Sequence, residues 1–313
     1  MKIFSSWQEA SEDASVQHGA MTVGNFDGVH MGHQQILAEL RGHAEAVKGP
    51  AIAVTFEPHP RAVLFPQEAP RRLCHLHERL AYLEEMALDA VLLLPFTKHL
   101  AQWTAEEFSR KLYEAFSFRH FHVGYDFAFG RDRMGHIDDL RRYGETAGFT
   151  VTEAAAFEMA DAVVSSSRIR SVVEAADFTL AAHLLGRDYA ITGKVQHGDE
   201  RGRTMNFPTV NMDVADLSHP PVGIYAVQVE SVDSGEQWGG AAYLGFRPTF
   251  NGRTLLLETH VFDVERNFYD QELRVTFVAR LREDRTFSNH AELAGQIAED
   301  CKRAKIILAE KNK

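Results

Sequence analysis

The chain has 313 residues, of which 45% are hydrophobic and 25% charged, so it is long enough for two domains and ordinary in composition for a soluble globular enzyme. Its formal net charge of -11, without a polybasic run, argues against binding along a nucleic acid backbone. The two cysteines, Cys74 and Cys301, form no CxxC pair, and the N-terminus lacks the apolar core of a signal peptide. No apolar run is long enough to span a bilayer, so we expect a cytoplasmic protein without nucleic acid or membrane partners.

The first half of the chain alternates apolar strands with amphipathic helices. Predicted strands are residues 20–26, 51–56, 89–96, 120–124 and 149–157, and predicted helices are residues 33–47, 76–88, 105–116 and 137–147. This alternation predicts an α/β domain with a doubly wound parallel sheet. In such sheets ligands bind beyond the carboxyl ends of the strands, where residues 24–33 form a loop.

The second half follows a different pattern. A helical stretch over residues 172–185 precedes β-rich runs at residues 189–195, 224–230, 239–245, 255–262 and 272–280, which together predict a small antiparallel β-barrel. Residues 289–308 then carry a helical stripe of apolar side chains, namely Leu293, Ile297, Cys301, Ala304 and Leu308. We expect this C-terminal helix to pack on the barrel. The predicted domains are residues 1–171, a helical linker at 172–188, and residues 189–313.

The loop after the first predicted strand reads GNFDGVHMGH. Gly24 and Gly28 bracket a tight turn, and His30 and His33 are one helical turn apart. Two imidazoles beside the first amides of a helix can hold an anion, because each ring can donate a hydrogen bond to a phosphoryl oxygen. Surface histidines on a plain turn are the alternative, and a metal site is disfavoured without a third ligand nearby. The complete string in a strand-loop-helix setting favours nucleotide binding.

Three further strings support a nucleotide site: TFEPHP at residues 55–60, GYDFAFGRDRMG at 124–135 and SSSRIR at 165–170. Singly, each would be an ordinary turn, charged surface or helix cap. Together with the first motif they make the N-terminal half resemble the nucleotidyltransferase domain of bifunctional riboflavin kinase/FAD synthetases, a domain of the HxGH type. Hydroxyls that cap a helix, followed by an arginine, agree with phosphate binding.

The resemblance implies roles for specific residues of the first domain. It makes His30 and His33 catalytic, in contact with the phosphates of ATP. The implied ATP-binding residues are Gly24, Asn25, Phe26, Asp27, Gly28, Ser165, Ser166, Ser167 and Arg170. The implied flavin-binding residues are His59, Pro60, Asp126, Phe127, Phe129, Arg131 and Arg133. Ser167 stands where the family usually has threonine, a mild departure because the hydroxyl is kept.

Two pairs of polar residues stand out in the predicted barrel. Thr209 and Asn211 are two residues apart, so in an extended chain their oxygens face one side and suit a metal ion with phosphate. Glu258 and His260 share a strand face in the same way, and a carboxylate there could accept the proton of a hydroxyl that attacks a γ-phosphate. Taken alone, each pair would be an ordinary exposed strand face.

With the string GFRPTF at residues 245–250, these pairs resemble the riboflavin kinase domain of the same family, so the resemblance covers residues from about 20 to 310. It implies Mg²⁺ at Thr209 and Asn211, and Glu258 as catalytic base towards the 5′-hydroxyl of riboflavin. The implied ATP-binding residues are Gly193, Lys194, Gly198, Arg203, Thr209 and Asn211. Departures from the family pattern are Asn206 for glycine, Tyr243 for asparagine, and Asn267 to Asp270 for Asp-Leu-Tyr-Gly.

The sequence therefore predicts two ATP-dependent reactions in one chain. The second domain would phosphorylate riboflavin to FMN, and the first would adenylylate FMN to FAD with release of pyrophosphate. Riboflavin, FMN, FAD and ATP are the expected partners, with Mg²⁺ but no tightly bound organic cofactor, and a weak homo-oligomer is left open. One alternative keeps only FAD synthesis and makes the barrel a degenerate flavin-binding or regulatory module. Another changes the phosphorylated acceptor, although the barrel argues against it.

Overall fold

A computed structural model of the chain describes residues 1–196, 207–249 and 252–311. The chain divides into two compact units. The first unit comprises Met1–Pro70 and Leu76–Ser165, and the second comprises Arg71–His75 and Ser166–Lys313. The short segment from Arg71 belongs to the second unit because Arg72 N donates to the carbonyl of Asp216 at 3.0 Å and Ser218 N donates to the carbonyl of Arg72 at 2.7 Å.

The first unit contains a six-stranded parallel sheet in the order β1-β4-β3-β2-β5-β6. Its strands are β1 (Lys2–Phe4), β2 (Ala20–Val23), β3 (Ala51–Glu57), β4 (Ala90–Pro95), β5 (His120–Val123) and β6 (Thr150–Glu153). Its helices are α1 (Trp7–Glu12), α2 (Met31–Val47), α3 (Pro60–Leu64), α4 (Leu76–Glu85), α5 (Ala105–Phe116) and α6 (Ile137–Ala147). A short hairpin, β7 (Glu158–Met159) and β8 (Ala162–Val163), follows the sheet. The predicted doubly wound sheet is confirmed.

Both faces of this sheet are covered by helices. Met21 of β2 packs in one buried cluster with Leu112 of α5, whereas its neighbour Ala20 packs in a second cluster with Leu37 and Leu40 of α2. Alternate residues of a strand point to opposite faces, so neighbouring residues of β2 serve both layers. This double burial explains the continuous apolar run of the strand.

The second unit is an antiparallel barrel preceded by two helices and followed by one. The helices are α7 (Ser166–Glu174), α8 (Phe178–Leu185) and α9 (His290–Lys311). The strands are β9 (Ala190–Lys194), β10 (Val210–Asp213), β11 (Gly223–Ser231), β12 (Gln237–Thr249), β13 (Gly252–Val261) and β14 (Glu272–Glu283), in the order β10-β13-β12-β11-β14-β9. Gln196 bridges to Asn211, so the two edge strands nearly close the barrel. The predicted barrel is confirmed.

The predicted helix over residues 172–185 is instead two helices, α7 and α8. Ala176 has a positive φ of 57°, which breaks the helical path. Asp177 then caps α8, because its side chain accepts a hydrogen bond from Leu180 N at 2.9 Å. The predicted domain boundary after residue 171 falls inside α7.

The C-terminal helix α9 packs on the barrel through the predicted stripe. Cys301, Ala304 and Leu308 are buried in one cluster with Ile224 and Phe262. Within the described ranges, every helix is too short or too polar to cross a lipid bilayer.

Candidate active sites

The loop after β2 lies at the carboxyl end of a strand that runs between β3 and β5 in the middle of the sheet. Gly24 N donates to the carbonyl of Val54 at 3.0 Å, which attaches the loop to β3. A Cβ atom on Gly24 would come within 2.9 Å of the Phe26 ring, so this position needs glycine. Gly28 has a φ of 77°, which glycine adopts without strain. The two glycines of the motif thus allow a tight loop at the position where such sheets bind ligands.

The two histidines of the motif begin α2. His30 is the N-cap residue, and its Nδ1 accepts a hydrogen bond from His33 N at 3.3 Å. The rings of His30 and His33 stack with centroids 3.6 Å apart and an interplanar angle of 16°. The edge of Phe26 meets the ring of His33 at a centroid distance of 5.2 Å. This capping role explains why α2 begins at Met31 rather than at the predicted His33.

The polar groups of this loop lie in a buried environment. Asp27 is 6% exposed and His30 is 5% exposed. Burial lowers the pKa of His33 well below its ordinary value, and the neighbouring His30 lowers it further. Among the described residues, His33 Nδ1 has no hydrogen-bond partner although it is buried. A neutral ring with an unsatisfied nitrogen can form a hydrogen bond to a bound phosphate, and such groups are typical of functional sites.

Arg79 of α4 holds the backbone of the loop that follows β2. The sequence did not predict this role. The Arg79 side chain is 6% exposed. Nη1 donates to the carbonyl of Asn25 at 3.0 Å, while Nη2 donates to the carbonyl of Phe56 at 3.2 Å and to Glu57 Oε2 at 2.8 Å. Thr55 Oγ1 also donates to the Asn25 carbonyl, at 3.1 Å. Arg79 therefore ties the nucleotide loop to the end of β3.

Replacing Arg79 with methionine should destabilise the protein by about 3 kcal/mol, because Glu57 loses its cationic partner and two carbonyls lose a donor. Urea unfolding of the full chain measures this change. Arg79→Lys serves as the matched control, since it keeps the charge but cannot form all three contacts. An unfolding free energy for Arg79→Met equal to that of the wild type would contradict the role assigned to this side chain.

The loop between β5 and α6 contains most of the predicted flavin-binding residues. Phe129 N donates to the carbonyl of Gly135 at 3.0 Å, and Gly135 N donates back at 2.9 Å. Phe127 and Phe129 stack with centroids 5.2 Å apart, and Phe129 is buried in the core of the first unit. Phe129 thus anchors the loop from inside.

The charged residues of the same loop point outward. Asp126, Arg131 and Arg133 are exposed, and Arg133 Nη2 donates to the carbonyl of Asp126 at 3.4 Å. His59 has a local role as the N-cap of α3, where its Nδ1 accepts from Arg61 N at 3.1 Å and Pro60 is the first helical residue.

The serine run lies at the start of α7. Ser165 is the last residue of the first unit, whereas Ser166, Ser167 and Arg170 belong to the second unit. The predicted second helix start is therefore present. Arg170 Nε donates to the carbonyl of Arg71 at 2.6 Å.

The candidate kinase site lies on three adjacent strands of the barrel. Asn211 of β10 is directly opposite Glu258 of β13, and Glu258 is directly opposite Tyr243 of β12. Cross-strand partners of this kind share one face of the sheet. Leu257, next to Glu258, is fully buried on the other face, so the three polar side chains lie on the outer face of the barrel. The structure thus brings together two site residues, Asn211 and Glu258, that are distant in sequence.

Three other predicted ATP-binding residues of this unit lie at the ends of barrel strands. Thr209 directly precedes β10, and Gly193 and Lys194 end β9. Lys194 Nζ is 3.3 Å from Asp270 Oδ1, and both side chains are exposed. Gly198, Arg203 and Asn206 lie outside the described residues, as does Phe250 at the end of the GFRPTF string.

Glu258 is held by an arginine that the sequence reasoning did not single out. Arg247 Nε lies 2.5 Å from Glu258 Oε1, and this bond raises the pKa of the Arg247 guanidinium. The same guanidinium lies 4.9 Å from the centroid of the Tyr243 ring. Tyr243 donates from its hydroxyl to Asp284 Oδ2 at 3.1 Å, and burial together with Asp284 raises the pKa of Tyr243 to about 12. Tyr243, a departure from the family pattern, thus supports the ion pair of the proposed base.

Two family models match the chain in the predicted order. The FAD synthetase model matches residues 12–168, and the riboflavin kinase model matches residues 185–308. The bifunctional riboflavin kinase/FMN adenylyltransferase of Pseudomonas fluorescens is 40% identical, over 92% of this chain and 92% of that protein. The enzyme of the same name from Haemophilus influenzae is 37% identical, over 93% and 94% respectively.

A solved structure also matches along almost the whole chain. It is a crystal structure described as a macrolide-efflux protein from Streptococcus pneumoniae, with a TM-score of 0.81 and 26% sequence identity. The match covers 95% of this chain and 96% of that one. Both units described above therefore occur together in a solved protein.

Proposed function

The chain belongs to the family of bifunctional riboflavin kinase/FMN adenylyltransferases, and from that premise we propose how its residues divide the two reactions. It phosphorylates riboflavin to FMN and adenylylates FMN to FAD, with ATP as co-substrate in both steps. The proposal rests on the observation that the FAD synthetase match covers most of the parallel-sheet unit, while the riboflavin kinase match, residues 185–308, lies within the unit that contains the barrel. FAD synthesis alone, with a degenerate barrel, is not favoured because the riboflavin kinase model matches residues 185–308.

For adenylyl transfer we assign the ATP phosphates to His30, His33 and the N-terminus of α2. An oxygen of the FMN phosphate attacks the α-phosphorus, the bond from that phosphorus to the bridging oxygen breaks, and pyrophosphate leaves. The attacking phosphate needs no general base, so the protein has to align it and stabilise the developing negative charge. The stacked imidazoles and the unsatisfied Nδ1 of His33 support this assignment.

The remaining assignments of the first domain follow the family resemblance. The proposed ATP-binding residues are Gly24, Asn25, Phe26, Asp27, Gly28, Ser165, Ser166, Ser167 and Arg170. The proposed flavin-binding residues are His59, Pro60, Asp126, Phe127, Phe129, Arg131 and Arg133. The two exposed arginines of the loop after β5, Arg131 and Arg133, support contact with a flavin phosphate. Phe129, which is buried, would act by holding that loop in place.

For phosphoryl transfer we assign the catalytic base to Glu258. The 5′-hydroxyl oxygen of riboflavin attacks the γ-phosphorus, the bond to the ADP oxygen breaks, and the hydroxyl proton passes to the carboxylate. Thr209 and Asn211 are the proposed ligands of Mg²⁺. Hydroxyl and amide oxygens beside a carboxylate are the hard donors that suit this ion, and the register that places Asn211 opposite Glu258 supports such a set. Bound Mg²⁺ would supply positive charge against the phosphates of ATP.

The proposal also includes the domain limits 1–171, 172–188 and 189–313 and a cytoplasmic location. Cys74 and Cys301 are both free and buried, which suits a reducing compartment. A weak homo-oligomer and the lack of nucleic acid or membrane partners stay predictions.

The full chain incubated with riboflavin, ATP and Mg²⁺ should produce FMN and then FAD, separated by chromatography. A parallel reaction that starts from FMN should give FAD and pyrophosphate. Chelation of the metal with EDTA should stop the kinase step. Absence of both products would overturn the proposed function. If the protein formed FAD from FMN but formed no product from riboflavin, the barrel would only bind flavin and would not act as a kinase. Competition by other phosphorylated acceptors tests whether FMN is the preferred one.

A further inference from the structure

Three histidines meet inside the first unit, away from the nucleotide loop. His43 lies near the end of α2, and His120 and His122 lie two residues apart on β5, facing one side of the sheet. His120 is 6% exposed and His122 is 1% exposed. One ring nitrogen from each residue lies within 4.8 Å of the others. Within the described ranges, no other group of three histidine, cysteine or acidic residues has this spacing.

This cluster is separate from the proposed ATP site. His30 and His43 lie at opposite ends of α2, about 20 Å apart at a rise of about 1.5 Å per residue. The nucleotide loop follows the carboxyl end of β2, whereas His120 begins β5 at the amino end of the same sheet. The adenylyl transfer described above uses none of the three histidines.

Three ring nitrogens of the cluster contact a single oxygen atom. His120 Nε2 and His122 Nδ1 each lie 2.8 Å from Thr152 Oγ1, and His43 Nε2 lies 3.2 Å from it. A hydroxyl offers one proton and two lone pairs. It can therefore donate to only one of the three nitrogens. A metal cation at this centre would accept a lone pair from all three.

The outer nitrogens of two of these rings already face polar partners. His120 Nδ1 is 2.7 Å from Thr150 Oγ1, and His122 Nε2 is 3.0 Å from Glu39 Oε2. Glu39 is oriented in turn by Gln35, whose Nε2 donates to Oε1 at 2.7 Å. Histidine ligands of metals usually donate their outer N–H to a carboxylate or another oxygen, which turns the inner lone pair towards the ion. His120 has this arrangement through Thr150, whereas His122 Nε2 forms no hydrogen bond with the described residues but has the Glu39 carboxylate 3.0 Å away.

Burial disfavours the charged form of both rings. Burial lowers the pKa of His120 to about 4, and His43 and His122 contribute to the shift. Burial and then His43 also lower the pKa of His122, while Glu39 opposes this.

We propose that His43, His120 and His122 bind a divalent transition metal, with Zn²⁺ as the best match, and that Glu39 orients His122. Three imidazoles with a fourth position left open form a common zinc ligand set. The Thr152 hydroxyl occupies the centre of the three nitrogens, where the ion would bind. Zinc to nitrogen distances are about 2.0–2.1 Å, which leaves no room for this oxygen at the same position. The hydroxyl therefore turns away when the ion enters. The bound ion would join α2 to β5 and stabilise the first unit.

The test uses the full chain, stripped of metal with a chelator and then titrated with Zn²⁺ against a chromophoric chelator. We expect one tightly bound ion per chain and a higher thermal unfolding temperature. His43→Gln and Glu39→Gln, both at partly exposed positions, should each weaken binding at least tenfold. His290→Gln, at an exposed position outside the cluster, and His33→Gln, in the nucleotide loop, should leave it unchanged.

Thr152→Ala sharpens the test because it removes the hydroxyl from the centre of the three nitrogens. A metal site predicts tighter Zn²⁺ binding in this variant and the visible spectrum of a four-coordinate ion with Co²⁺. A plain hydrogen-bond network predicts no binding in the wild type or in Thr152→Ala, and that result overturns the proposal. Binding that is lost in His33→Gln and kept in His43→Gln overturns it as well. Neither outcome affects the proposed flavin reactions.

Discussion

Replacing His33 with alanine should lower FAD formation from FMN by about 100-fold or more, while FMN formation from riboflavin continues at the wild-type rate. Removing one preorganised donor to a developing negative charge costs about 100-fold to 1,000-fold in comparable sites. His33 is the strongest candidate for such a donor because its buried Nδ1 has no hydrogen-bond partner among the described residues. Chromatographic assays that start from riboflavin and from FMN measure the two rates separately.

His30 needs a paired design because it also caps α2. His30→Asn keeps a good N-cap side chain and removes the imidazole, whereas His30→Ala removes both. We expect both variants to lose FAD formation, and only His30→Ala to lose about 1 kcal/mol of stability in urea unfolding. If His30→Asn formed FAD at the wild-type rate, the residue would have only a structural role.

The sequence predicted the first domain well where local signals and periodicity agree. The predicted bounds of α5 and α6 match the structure at both ends. Thr104 and Glu107 form a capping box at the start of α5, and Gly148, with a φ of 87°, ends α6. Short elements gave weaker signals. β1 has three residues and lies at the sheet edge, and the break between α7 and α8 contains neither glycine nor proline.

Long-range partners of the candidate sites could not be predicted in this way. Arg79 lies in the middle of an amphipathic helix, where an arginine is usually on the surface, and only the folded chain places it against Asn25 and Glu57. The pairing of Arg247 with Glu258 depends on the register between β12 and β13. The apolar pattern excludes a slip by one residue, which would move every side chain to the other face. A slip by two residues keeps the faces, so a single sequence does not determine which residue lies opposite Glu258. The motifs therefore predicted the loops and strands of the two sites, whereas the arginines that hold Asn25 and Glu258 in place are visible only in the tertiary structure.

Replacing Glu258 with glutamine should lower FMN formation from riboflavin by about 100-fold to 10,000-fold, the usual contribution of a general base. The amide keeps the size of the side chain but cannot accept the hydroxyl proton. FAD formation from supplied FMN should be unchanged, because the parallel-sheet unit carries that reaction. Glu258→Asp keeps the carboxylate and retracts it, so we expect a smaller loss.

The ion pair of Glu258 provides the decisive comparison. Oε1 is occupied by Arg247, so a proton from riboflavin reaches the carboxylate through Oε2 unless the arginine moves. Arg247→Met releases Oε1 and leaves a carboxylate in place, so FMN formation should fall less than in Glu258→Gln. If Glu258 served only to hold Arg247, the two variants would lose the same activity, and their double mutant would lose no more than either. Loss of FAD formation in a folded Glu258→Gln protein would contradict the division of the two reactions between the units.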